Sequence, residues 1–213
     1  MPGARMALAG GAVLVAVLGA GLAVYGTGPT GGNTARGPLP CAEAAAGVAR
    51  VAPRARGEVA ALQVVETPRP APVLTFKGPD GADTTLADLR GRVLLVNLWA
   101  TWCTPCKAEM PALDRLQAEM GGPDFTVVAI NVDTRNLDKP PHWLKENGIG
   151  RLAYYSDPGG RVLPAIQKDT GSLGLPTTML VDSRGCTLGV MKGPADWGSA
   201  DGKNLIAAAL GRG

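Results

Sequence analysis

Two cysteines, Cys103 and Cys106, stand two residues apart in the stretch Trp102-Cys103-Thr104-Pro105-Cys106. They follow the apolar run Val93-Leu94-Leu95-Val96-Asn97-Leu98-Trp99, which reads as a buried strand turning into a helix. A dithiol at such a junction can close to a disulfide and open again. The thiolate is the attacking species, and a helix N-terminus favours negative charge through its free N–H groups and its dipole. Cys103 falls at that terminus and is the candidate nucleophile. Cys106, one turn on and facing inward, is the candidate resolving thiol, placed to break the mixed disulfide that Cys103 forms with a client. The same pair could supply half of a zinc site, but Cys41 and Cys186 stand alone and His142 is the single histidine, so a second ligand pair is missing. Copper(I), a soft cation that tolerates few ligands, is the main non-enzymatic alternative. No resident cofactor or metal is expected.

Two ionisable residues follow the dithiol closely. Glu109 lies three residues beyond Cys106, on roughly the same helical face, and reads either as a proton relay or as an acid that complements the helix dipole. Lys107 could favour a thiolate by its charge, although a solvated lysine accounts for it equally well. Trp102 is expected to shape an exposed apolar client surface, whereas Trp99, Trp143 and Trp197 read as packing residues. His142 carries no assignment.

The stretch from Leu86 to Lys107, with Glu109-Met110-Pro111 behind it and Gly174-Leu175-Pro176-Thr177-Thr178 later, resembles the TlpA type of membrane-anchored thiol:disulfide oxidoreductase within the thioredoxin superfamily. The resemblance covers about residues 68–213. It implies an α/β thioredoxin-like fold, with a mixed central sheet and helices on both faces. It also implies that Leu175-Pro176 is a cis bond facing the dithiol, with the Leu175 backbone left free to pair with an extended client. An ordinary strand-opening proline is the plainer alternative for Pro176. Thr104-Pro105 between the cysteines does not itself separate reductants from oxidants; the family places Pro105 in this setting among reductants. One departure from thioredoxin concerns the proton acceptor. The positions of its buried aspartate and neighbouring lysine are matched here by Asn97 and Ala129, and an asparagine cannot take up the proton. Another group, or a water, must help deprotonate Cys106. The extra cysteines resemble a further pair found in the family, which implies a structural disulfide between Cys41 and Cys186; two unpaired buried thiols are the alternative.

The segment Met6–Tyr25 carries no charged residue over 20 positions, long enough for one membrane-spanning helix. Residues 1–25 are therefore expected to be a single-pass anchor, or failing that a cleaved signal peptide, with Arg5 holding the N-terminus inside. Residues 26–40, rich in Gly, Pro and Thr, read as a flexible linker. Residues 41–67 read as a short helical extension broken at Pro53, and 68–213 as the thioredoxin-like domain, which would stand in the periplasm against a bacterial inner membrane. Within it the pattern predicts a hairpin around Pro79-Asp80-Gly81, a long helix bent by Pro111, a strand over 125–132 and a helix over 141–147. A hairpin of 177–181 with 186–192 and a last helix near 201–210 complete it. The net charge of +3 over 213 residues is too small and too scattered for nucleic acid. Expected partners of the monomer are extracytoplasmic proteins with disulfides, including a copper chaperone or a cytochrome oxidase subunit, and a membrane electron donor. A disulfide oxidant or isomerase, and a copper-handling module, are the competing functions.

Overall fold

The computed structural model describes residues 41–212. The expected anchor over 1–25 and linker over 26–40 lie outside the described residues. Among the described residues no helix is long and apolar enough to cross a membrane.

Eight strands form one mixed sheet: β1 (Gln63–Pro70), β2 (Thr75–Lys77), β3 (Asp83–Thr85), β4 (Val93–Trp99), β5 (Phe125–Asn131), β6 (Tyr155–Ser156), β7 (Thr177–Val181) and β8 (Cys186–Lys192). Their spatial order is β1-β8-β7-β4-β5-β6-β2-β3. β4 runs parallel to β5 and antiparallel to β7, and every residue of β4 and of β7 is buried. A strand without an exposed face needs cover on both sides of the sheet, which explains why its sequence is continuously apolar rather than alternating. Five helices accompany the sheet: α1 (Ala45–Val51), α2 (Thr104–Met120), α3 (Lys139–Glu146), α4 (Val162–Thr170) and α5 (Ala200–Ala209).

The β2–β3 and β7–β8 hairpins and the strand over 125–131 follow the sequence reading. Two departures have local causes. β6 and α4 carried no usable signal. The strand has two residues, and Pro164 falls inside the helix, where it reads as a breaker. Pro164 lies in the first turn, where an N–H would go unused, and the Val162 N–H is capped by the buried carboxylate of Asp157 at 2.7 Å. Likewise α3 starts at Lys139, so that Pro140 and Pro141 both occupy its first turn.

The second correction concerns the expected boundary between residues 67 and 68, which falls inside β1. The helical part of the extension ends by residue 59, and the chain then enters the sheet as an edge strand antiparallel to β8, with Pro68 and Pro70 beside a register shift. Prolines are tolerated there because an edge strand has a free side. Residues 41–62 are thus continuous with the sheet, and α1 packs on α5 through contacts such as the Arg50 Nε–H donating to the Ala208 carbonyl at 3.0 Å. A disulfide joins Cys41 to Cys186, with Cα atoms 5.7 Å apart at a sequence separation of 145. Replacing both (Cys41→Ser with Cys186→Ser) is expected to lower the unfolding free energy by about 2–5 kcal/mol in urea titrations, by the loop-closure argument for a long crosslinked loop.

Candidate active site

The end of β4 hands the chain to α2 through Ala100-Thr101-Trp102. Cys103 is the N-cap of α2, and its sulfur accepts the Cys106 N–H at 3.3 Å. Pro105 sits in the first turn, where it removes no needed donor. The two sulfurs are joined in a disulfide across a Cα separation of 5.3 Å. Cys103 is 5% exposed and Cys106 is 0% exposed, so the N-cap cysteine lies nearer the surface of the two.

Opposite the dithiol, the Leu175–Pro176 bond is cis. Thr177 pairs with Leu98, which sets Pro176 beside the end of β4 where the turn to Cys103 begins. The Pro176 carbonyl is taken by the Gly193 N–H at 3.0 Å, whereas among the described residues neither backbone polar group of Leu175 has a hydrogen-bond partner. Thr177 Oγ1 donates to the Gly174 carbonyl at 2.7 Å, tying the loop down just before the strand. Trp102 stands 65% exposed beside the pair, while Trp99 is fully buried against Trp143, with ring centroids 5.7 Å apart.

The turn that delivers Cys103 is fixed from β5. Asp133 is buried; its carboxylate accepts the Thr101 N–H at 2.9 Å, the Thr101 hydroxyl at 3.1 Å and the Asn131 side-chain amide at 2.8 Å. The sequence reading passed over Asp133 because Asn-x-Asp after a strand looks like ordinary turn chemistry. The available signal was the parallel pairing of β4 with β5, which brings the two following loops side by side.

Behind the dithiol, Asn97 pairs with Ala129 across β4 and β5 and is fully buried. Its amide donates to Glu109 Oε1 at 2.7 Å and to Thr178 Oγ1 at 2.9 Å, while its Oδ1 has no partner. Glu109 Oε2 accepts the Ala195 N–H at 3.2 Å. Glu109 is itself buried and lies beyond the first turn of α2, so an acid that complements the helix dipole does not describe it. Burial pushes its carboxyl up from 4.5 to about 7, against the opposing pull of the Asn97 and Ala195 donors. The Trp197 indole also favours the charged form, yet its N–H makes no hydrogen bond of ordinary geometry. A groove of about 430 Å³, lined by Glu109, Arg115 and Pro194 among others, links this carboxyl to solvent. Asn97 is no acid, but it grips one supplied by α2. The half-buried Lys107 makes no ion pair among the described residues.

Residues 68–187 match the AhpC/TSA family. The chain belongs to the AhpC/TSA family. Among other members, it is 31% identical over 121 residues to the thioredoxin-like protein YneN of Bacillus subtilis (strain 168), a match that covers 54% of this chain and 65% of YneN. It is 26% identical over 129 residues to the thiol-disulfide oxidoreductase ResA of Bacillus thuringiensis subsp. konkukian (strain 97-27), over 61% of this chain and 71% of ResA. The solved structure of the thiol:disulfide interchange protein DsbE from Chlorobium tepidum superposes with a TM-score of 0.56 at 29% identity, over 66% of this chain and 95% of that one. The resemblance to TlpA-type oxidoreductases read from the sequence is borne out, as is the thioredoxin-like α/β fold.

Two outcomes follow for this AhpC/TSA-family site. Because the Glu109 pKa is raised on folding, its contribution is favourable below about 4.5 and is lost as pH climbs to about 7. Glu109→Gln should remove that loss, so the stability difference between the variant and the parent changes by about 3 kcal/mol across this range in urea titrations at stepped pH. Asp133→Asn sets a donor against Thr101 N–H or Asn131 and should cost about 1–3 kcal/mol. It should also displace the pH profile of Cys103 alkylation, which a loss of packing alone would leave in place.

Proposed function

We propose that this protein is a thiol:disulfide oxidoreductase that works as a reductant of protein disulfides outside the cytoplasm, held to the membrane by residues 1–25. The observation that carries the reading is the asymmetry of the pair: Cys103, the helix N-cap, keeps 5% of its surface exposed, and Cys106, three residues on in the same helix as the buried Glu109, keeps none. The Cys103 thiolate attacks one sulfur of a client disulfide, forming a mixed disulfide and releasing the first client thiolate, which takes up a proton. Cys106 then gives its proton to Glu109 and attacks the Cys103 sulfur. The second client thiol leaves reduced, and the Cys103–Cys106 bond holds the two electron equivalents' worth of oxidation. A carboxyl that titrates near neutrality suits that exchange. Leu175 offers its backbone to the client and Pro176 shapes the surface facing the dithiol, while Trp102 lends apolar area. A membrane dithiol donor closes the cycle. The TlpA-type resemblance extends the reading to clients in cytochrome or haem-copper oxidase assembly, copper-chaperone cysteines among them, and to a periplasmic position on a bacterial inner membrane.

Redox titration of the full chain, with alkylated cysteines counted by mass, tests this. A two-electron transition near about −270 mV confined to Cys103 and Cys106 is the expected result, whereas a midpoint near about −120 mV would make the protein an oxidant. Cys106→Ser should accumulate the mixed disulfide with a model client, and Cys103→Ser should form none.

A further inference from the structure

We propose that the surface around the dithiol selects an extended client segment that carries an apolar side chain and an acidic residue next to its reactive cysteine; this rests on the reductant reading above. Four large apolar side chains are well exposed among the described residues: Val73 at 90%, Trp102 at 65%, Leu137 at 46% and Leu173 at 96%. Three of them stand at one end of the sheet. Trp102 follows β4, Leu137 follows β5, which is parallel to β4, and Leu173 precedes β7, which is antiparallel to β4. A single exposed leucine needs no explanation, but three apolar side chains at the sheet end that carries the dithiol make a contact surface.

Between Leu173 and the end of β8 runs a groove of about 470 Å³, whose walls include Gly171, Leu175, Pro176 and Lys192. The unpartnered backbone groups of Leu175 open onto it, so an extended segment can add there as a short strand. Lys192 is the one ionisable side chain in its lining. Lys107 lies in the first turns of α2 and Arg135 in the loop after β5, and none of these three cations forms an ion pair among the described residues. Two of the anions nearby are engaged: Asp133 is buried under Thr101 and Asn131, and Asp196 is paired with Arg115. Asp138 makes no ion pair among the described residues, and it is outnumbered by Lys107, Arg135 and Lys192. Glu58 lines the separate groove beside Pro194. The entrance to the sulfur is therefore apolar and cationic, and its complement is an apolar, acidic segment.

Lys192 has a competing structural role, since its ammonium lies 3.8 Å from where a Cβ on Gly171 would stand, at the C-terminus of α4, where a cation complements the helix dipole. The two roles separate by experiment. The reduced full chain is mixed with three disulfide-bonded peptides that differ by Glu, Gln or Lys beside the cysteine, and rates are compared at low and high salt. The Glu peptide should be reduced about two- to fivefold faster than the Lys peptide at low salt, with the gap closing at high salt. Lys192→Gln should narrow the gap and Lys192→Glu should invert it, while Leu173→Ser should slow all three peptides alike. Equal rates at low salt, or a gap that survives Lys192→Glu while the melting temperature falls, would overturn the proposal in favour of the helix-end role. Failure to reduce even the Gln peptide would overturn the reductant reading and this inference together.

Discussion

The hydrogen bond from Asn97 to Glu109 joins a fully buried strand to the helix that carries the dithiol. Burying a carboxyl without partners costs several kcal/mol, and a buried amide left unpaired costs a few more. Each group offsets part of the other's penalty, with Thr178 and the Ala195 N–H completing the set, and what is left keeps the Glu109 carboxyl raised. Because β4 is fixed on both flanks by β5 and β7, this bond also sets how α2 leans against the sheet, and hence where Cys106 points. The unpartnered Asn97 Oδ1 marks where satisfaction stops, in the same enclosed space. A polar cluster of this kind makes a poor source of stability and a good means of holding one acid near neutrality inside an apolar core.

Around that centre, the nearby loops are tied from separate elements. Asp133 holds the turn before Cys103 from the end of β5, and Thr177 holds the loop before Pro176 from the start of β7. Both strands neighbour β4, so the register of the sheet decides that the two ties meet at one end. Apolar side chains and cations gather at that end because it is where three connections converge without a helix laid over them. The geometry of the sheet thus produces at once the attacking sulfur and the surface a client must cross to reach it.

Much of this was legible in the chain. The dithiol, the strand before it and the β7–β8 hairpin announce themselves through spacing and continuous apolar runs, which depend on local sequence alone. The cis bond at Pro176 was legible by resemblance, since a proline opening a strand has a plainer reading. What stayed hidden was set by distant partners. Glu109 looks like any acid in a helix's first turns until Asn97 and Ala195 enclose it, and Asp133 looks like a loop residue until β5 lies beside β4. Leu62 to Pro70 reads as the end of a helical extension with a proline-rich tail. Only its pairing with β8 makes it a strand. The short α4 hides behind Pro164, whose harmlessness rests on a cap from Asp157 that no local window contains.

The two disulfides show how position in the chain divides identical chemistry into two roles. Opening the Cys103–Cys106 bond releases a ring of a few residues whose backbone is already fixed by β4 and α2, so its reduction exchanges covalent partners with little change in chain entropy. Opening Cys41–Cys186 frees a loop spanning 145 residues in the unfolded chain, and the folded state, which holds Cys186 on β8 and Cys41 at the start of the helical extension beside it, opposes that with its own stability. Folding therefore resists reduction of the second bond far more than of the first. A protein that exchanges one dithiol with other thiols needs that separation, because a staple open to the same exchange would free the N-terminal segment that Cys41 ties to β8. The Cys103–Cys106 pair can then open and close without touching the bond that ties this segment to the sheet.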